Sequence, residues 1–191
     1  MSMSIIDTIK KSRSYRRFDQ KKEIPDNDLQ LMIEAARFSP SSRNIQPLKY
    51  FPCNNTDLCK KIFGTLAWAG YLKDWDGPEE GERPSAYIVI LHDTSVSSTY
   101  SCDDGIAAQS ILLQGVELGY GGCIISSVKR ERLSEILNFP DNLNILHVIA
   151  IGVPKEKIVL EDMHQNNYKY WRETDGTHHV PKRTLKELII K

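Results

Sequence analysis

GIAAQSILLQGVELGYGGCIISS, residues 105–127, holds two structural elements back to back. Its first half predicts a helix. Asp103 and Asp104 stand where the partial positive charge of a helix N-terminus favours carboxylates, and Gly119 follows the last periodic residue as a C-terminal stop. Ile106, Ala107, Ala108, Ile111, Leu112, Leu113, Val116 and Leu118 wrap most of the circumference. Only Ser110, Gln114 and Glu117 form a narrow polar line. A helix apolar on nearly all sides is a buried one, so it is either a central core helix or a subunit contact. The second half, Tyr120–Ser127, predicts a short buried strand entered through Gly121 and Gly122. Glycines there either relieve packing between helix and strand or leave bare backbone against which a flat ligand can lie. A dinucleotide fingerprint is excluded, because after Gly119 and Gly121 the third glycine position is Ile124.

Working outward, 191 residues suit one domain with a real core, burying roughly 70% of its unfolded surface. Lysine plus arginine equals aspartate plus glutamate at 25 each, which argues against a general nucleic-acid or membrane-surface binder. Cys53, Cys59, Cys102 and Cys123 form no CxxC, no zinc spacing and no disulfide framework, and His178-His179 lacks a ligand-spaced partner, so no metal site is expected. No apolar run is long enough for a signal peptide or a membrane span, and the expected location is the cytoplasm.

Towards the N-terminus, residues 4–11 predict a short amphipathic helix with Ile5, Ile6 and Ile9 on one face. Seven basic residues and one acidic one then lie between Lys10 and Lys22, in a chain with no net charge. Such a run is either a solvated face or a local anion site. Serine hydroxyl beside arginine guanidinium, as in Arg13-Ser14-Tyr15-Arg16-Arg17-Phe18, suits a phosphate because both donate and arginine does so as a fork. Pro25–Asp28 opens a helix with Leu29, Met32, Ile33 and Ala36 as its buried stripe, ending before Pro40. The loop Ser39–Pro47 is an ordinary turn or, through Asn44 and Gln46, a reader of an amide-like heterocycle edge.

A strand over Leu48–Cys53, a helix from about Asp57 to Leu66 and a strand over Ala86–Leu91 follow. Between the last two, Trp68, Tyr71, Leu72 and Trp75 fall at helical spacing, a pattern of core packing more than of a ligand cover. Beyond the central stretch, Lys129–Leu137 predicts a helix and Leu146–Ile151 a buried strand in which His147 reads as a core histidine. From Pro154 the regular pattern fades. Lys182-Arg183 repeats the N-terminal chemistry, and Leu185, Leu188, Ile189 and Ile190 give the end an apolar anchor, expected to pack on a second subunit.

In this order, the arginine–serine cluster, Pro40-Ser41-Ser42-Arg43-Asn44-Ile45-Gln46-Pro47, the helix-plus-glycine element, ILHVIAIGVP and Lys182-Arg183 resemble the FMN-dependent nitroreductase family over essentially the whole chain. The resemblance implies an α+β (α/β/α) fold: a mixed four- to five-stranded sheet flanked by helices, one domain over 1–191, in an intertwined homodimer with 154–191 packed on the partner. It implies two FMN molecules in interface clefts, NADH or NADPH as transient reductant, and ping-pong reduction of a nitroaromatic, quinone or similar small acceptor. Carried over by position, Arg13, Ser14 and Lys182-Arg183 resemble phosphate and ribityl contacts, with Tyr15 between them and Arg16, which resembles the cation near N1–C2=O. Pro40, Ser41, Ser42 and Gln46 resemble the loop along the ring, and Asn44 a contact from the partner. Gly122, Cys123, Ile124, Ile125 and Ser126 resemble the segment whose backbone lies beside N5. No side chain is implied as nucleophile, since flavin N5 carries the chemistry, with Arg16 and Ser126 as electrostatic and backbone helpers. Departures are Ser12 where many members are basic, Leu48 where tryptophan is usual, and Ser126 where some are acidic. Flavin-fragmenting or dehalogenating relatives, for which 67–84 is the candidate lid, and a flavin-binding module without turnover are the alternatives.

Overall fold

A computed structural model describes residues 3–190. The outermost residues of the domain expected over 1–191 lie outside it. Helix α1 (Ile5–Lys11) is capped by the Ser4 side chain, which accepts from the Asp7 amide. Helix α2 (Asp26–Arg37) follows Pro25, carries Asp26 and Asp28 in its first turn and Arg37 in its last, all complementary to the helix dipole. Strand β1 (Leu48–Cys53) leads to α3 (Thr56–Phe63), where Asn55 accepts from the Leu58 amide as the N-cap. Next come β2 (Ala86–Asp93), α4 (Asp103–Glu117), β3 (Gly121–Ile125), α5 (Arg130–Leu137) and β4 (Leu143–Gly152). Gly119, at φ +86°, turns the chain between α4 and β3, a conformation that costs glycine nothing. The C-terminal part contains β5 (Ile158–Asp162), β6 (Trp171–Arg172), β7 (His178–Lys182) and a one-turn α6 (Leu185–Leu188).

The principal sheet has the order β1-β2-β4-β3, and every pairing in it is antiparallel. Its two faces are both covered, which is why β2 reads as a continuous apolar run and is buried along its whole length. Ala86, Ile88 and Ile90 point into one cluster with Leu29 and Met32 of α2 and Ala108, Ile111 and Leu112 of α4. Tyr87, Val89 and Leu91 point into the other, with Ile62 of α3 and Leu133 of α5. Helix, sheet and helix thus form three layers, as the resemblance implied. α4 buries Ala107, Ala108, Ile111, Leu112 and Gly115 but leaves Ile106, Leu113 and Val116 only partly covered.

Three expectations are corrected. The principal sheet is not mixed: the parallel strand pairing is β5 with β7, in a separate three-stranded sheet of order β5-β7-β6, and a single parallel bridge joins Ser14 to Gly122. The tail from Pro154 is regular, because this second sheet organises it. Residues 67–75 are not helical. Ala69 sits at φ +37° and Trp68 packs on Gly77, where a Cβ would lie 2.7 Å from the indole; Tyr71 is exposed. The expected helix α1 is present, and its isoleucine face is outward, with Ile5 65% and Ile6 56% exposed. Among the described residues no helix is long and apolar enough to cross a membrane.

Candidate functional site

Residues 13–16 leave α1 and run along the outer edge of β3. The Tyr15 amide donates to the Gly122 carbonyl at 3.0 Å, and the Tyr15 ring packs on Gly121, where a Cβ would come within 2.5 Å of it. Gly121 therefore serves packing against this segment. Gly122 serves packing within the fold, since its Cβ would meet the Ala150 carbonyl and Leu112, each at 2.6 Å.

This path sets Arg16 beside the C-terminal end of β3. A cleft of about 230 Å³ is lined by Arg16, Cys123–Ser127, Ala67–Gly70 and Tyr170. The Arg16 guanidinium donates to the Ser14 carbonyl at 3.1 Å and lies 4.9 Å from the Tyr170 ring centroid. Among the described residues it has no carboxylate partner, in contrast to Arg17, which grips Glu82 through two hydrogen bonds of 2.5 and 2.8 Å. Arg13 donates to the Ile9 carbonyl, and its Nε is buried without a partner. Burial pushes the Cys123 thiol up and the Arg13 guanidinium down from their ordinary values.

Three features escaped sequence reading. Glu156, whose side chain is fully buried, accepts from the backbone amides of both Arg16 and Arg17 and pairs with Arg172 at 3.1 Å. One carboxylate thus holds the segment at Arg16 and Arg17, beside the backbone bonds of Tyr15 to Gly122, Phe18 to Glu82 and Lys155 to Arg17. His178 is buried, with neither ring nitrogen bonded among the described residues, and burial, aided by Arg16, Arg172 and His179, lowers its pKa to about 4, so the ring is neutral near pH 7. His147 is not a core histidine. A bulge shifts the β2–β4 register between Ile90 and Leu91, so that Leu146 and His147 serve the same side of the sheet. The ring then bridges the Ser126 hydroxyl (3.0 Å to Nδ1) and the Asp104 carboxylate (2.8 Å to Nε2) at the start of α4. A histidine between apolar neighbours gave no sign of this. The acidic pair at the start of α4 was the visible half of the signal.

The other expected site residues lie elsewhere. Pro40, Ser41 and Gln46 border a cavity of about 270 Å³ together with Asp103 and Tyr50. Asp103 holds this loop by accepting from the Ser41 hydroxyl (2.6 Å) and the Ser42 amide (3.0 Å). Asn44 and Gln46 have positive φ, at 57° and 56°, and both are exposed. Lys182 ends β7 and Arg183 follows it. Arg183 donates to Asn166, and no hydrogen bond or ion pair among the described residues joins either cation to Arg13 or Ser14. One chain therefore unites 13–16 with 122–126 and leaves 40–46 and 182–183 as separate groups.

The sequence profile described as the nitroreductase family matches residues 9–73 and 87–153. That span includes the arginine segment, the 40–46 loop, α4 and β3. This chain belongs to the nitroreductase family. An Archaeoglobus fulgidus relative, provisionally named NADH dehydrogenase/NAD(P)H nitroreductase, is 27% identical over 76% of this chain and 82% of its own. A nitroreductase family protein from Clostridium novyi NT has 25% identity and a TM-score of 0.65 over 80% of this chain and 87% of that one. The nitroreductase family protein from Streptococcus pneumoniae TIGR4, at 18% identity, shares the fold with a TM-score of 0.73 over 98% of this chain and 100% of its own. The nitroreductase profile stops before β5, so the second sheet with Lys182 and Arg183 lies outside the matched residues.

Proposed function

We propose that this nitroreductase-family chain is an FMN-dependent oxidoreductase that takes hydride from NADH or NADPH and reduces a nitroaromatic, quinone or similar acceptor. The observation that carries it is the pairing, in one cleft, of Arg16 without a carboxylate partner and the Cys123–Ser127 backbone. The residues fit the group: Arg13 has a buried, unpartnered Nε, Ser14 an exposed hydroxyl, and Arg16 a cation free to face an anionic ring edge. A protein described as an FMN-dependent nitroreductase from Clostridium difficile R20291 shares the fold, with a TM-score of 0.65.

Bound FMN would supply the hydride chemistry, accepting from the nicotinamide and giving to the acceptor in ping-pong order. Arg13 and Ser14 would hold the phosphate and ribityl end. Arg16 would stabilise negative charge on the ring, where a fixed cation in a partly dry cleft acts more strongly than in water. Ser126, oriented by His147, which Asp104 orients in turn, presents a hydroxyl at the cleft that can hand a proton to the acceptor. Pro40, Ser41, Ser42, Asn44 and Gln46 would serve the cleft of a second subunit, which accounts for their distance from Arg16's surroundings within one chain. Lys182 and Arg183 would add positive charge for the phosphate.

The test is direct. Purified or reconstituted protein should be yellow and should bleach under anaerobic NADH or NADPH, then recover colour with a nitroaromatic or quinone. A colourless protein that takes up no FMN would end this reading. Arg16→Ala should lose a charge-assisted contact of about 1.5–3 kcal/mol, read as a roughly ten- to hundredfold rise in the FMN dissociation constant. Titration of the stripped protein by fluorescence quenching measures it, and unchanged affinity and reduction potential would remove Arg16 from the site. His147→Asn should leave FMN content and bleaching by NADH intact while slowing recovery with acceptor, most strongly at high pH, where protons are scarce. Equal effects on both half-reactions would assign His147 a structural role alone.

A further inference from the structure

We propose that Cys53 and Cys59 form a dithiol site that a hydroperoxide converts reversibly to a disulfide. The two sulfurs lie 3.8 Å apart, and no other pair of thiols is within hydrogen-bonding reach among the described residues. Cys53 closes the edge strand β1 and Cys59 stands in α3, with the Asn55-capped turn between them. A disulfide needs a separation of about 2.05 Å, an approach smaller than the swing of a sulfur between neighbouring staggered rotamers. Cys59 is only 7% exposed, yet it borders a cleft of about 160 Å³ whose charged lining is Lys21, Lys60, Arg83 and Glu23, wide enough for peroxide. Three cations against one carboxylate in that lining favour an ionised sulfur inside.

The thiols are not equivalent. The hydrogen bond from Cys59 lowers the pKa of Cys53, while that bond and burial raise Cys59. The cleft reaches Cys59 while ionisation favours Cys53, and the cross-link forms whichever sulfur attacks. The thiolate attacks one peroxide oxygen, the O–O bond breaks, and hydroxide leaves with a sulfenic acid on that cysteine. The sulfur of the other cysteine then displaces that hydroxyl as water, its own proton completing the balance. Two electrons pass from the two sulfurs to hydrogen peroxide, which departs as two waters, and dithiothreitol reverses the change.

Both residues fall within a single tryptic peptide, Tyr50–Lys60, so the readout is simple. The full-length protein with Cys102→Ser, which removes the exposed thiol, is treated with hydrogen peroxide, alkylated in denaturant and digested. The expected peptide is about two mass units lighter than the reduced form and unalkylated, and it returns to the doubly alkylated form after dithiothreitol. Cys53→Ser should give a peptide that never loses those two mass units. A doubly alkylated peptide 50–60 at a peroxide dose that fully oxidises Cys102 in the unsubstituted protein would overturn the proposal, as would sulfinic acid in place of the cross-link. Neither outcome depends on flavin, so the result is independent of the proposed reaction.

Discussion

Replacing Glu156 by alanine should destabilise the protein by about 3–5 kcal/mol, the cost of leaving a buried ion partner and its hydrogen-bond donors unmatched. The carboxylate has no exposed surface, and its removal strands Arg172, whose side chain is only 15% exposed and whose Nε already lacks a partner. It also orphans the amides of Arg16 and Arg17, 140 and 139 residues away in sequence. Urea unfolding of the wild-type and substituted proteins measures the loss. Glu156→Gln keeps an acceptor for the two amides and should fall between them. A loss below about 1 kcal/mol would show that Arg172 re-pairs easily, against the geometry of its confinement. Because Glu156 holds the Arg16 and Arg17 amides, Glu156→Ala should also weaken FMN binding without touching any contact residue.

Deleting residues 184–191 should lower dimer stability and FMN retention together. Leu185, Leu188, Ile189 and Ile190 are 72%, 62%, 54% and 97% exposed, a concentration of apolar surface that a lone chain in water does not favour. Burial contributes about 25 cal/mol per Å², so covering these side chains, the α1 isoleucines and the outward stripe of α4 would make association strongly favourable. If the 40–46 loop completes the partner's cleft, cofactor and subunit losses must coincide. Light scattering with flavin absorbance on the full-length and truncated proteins decides the matter. A truncated monomer with stoichiometric FMN and full activity would refute the shared cleft.

How far the sequence could be read depended on how local each cause is. β1 was legible to the residue and β2 nearly so, because burial on both faces leaves an unbroken apolar run. α4 was legible through its acidic start and glycine stop. The second sheet was not, because β5 carries Glu161 and Asp162, β7 carries Pro181, and both are partly exposed. Their pairing, Ile158 with His178 through Asp162 with Lys182, is a long-range event with no local periodicity. The aromatic run 67–75 imitated a helix because its spacing reflects packing around Gly77 and a left-handed Ala69. In the site, Arg16 and Ser126 were visible as residue types in sequence. Glu156 and the orientation of His147 were not, since one depends on a distant contact and the other on a bulge at Leu146.

The bridge between Ser14 and Gly122 has a meaning apart from binding. β3 is an outer strand of the principal sheet, short and apolar, with a row of backbone groups that could template pairing with another molecule. Ser14 pairs with Gly122 there and the Tyr15 amide bonds its carbonyl, so the segment proposed to face an anion on one side covers part of the sheet edge on the other. Substitutions that loosen it should uncover a sticky ribbon as well as disturb the proposed site. Lost affinity and lost solubility should then appear in the same variants, and a preparation that precipitates on losing its ligand would be reporting the opening of this seam.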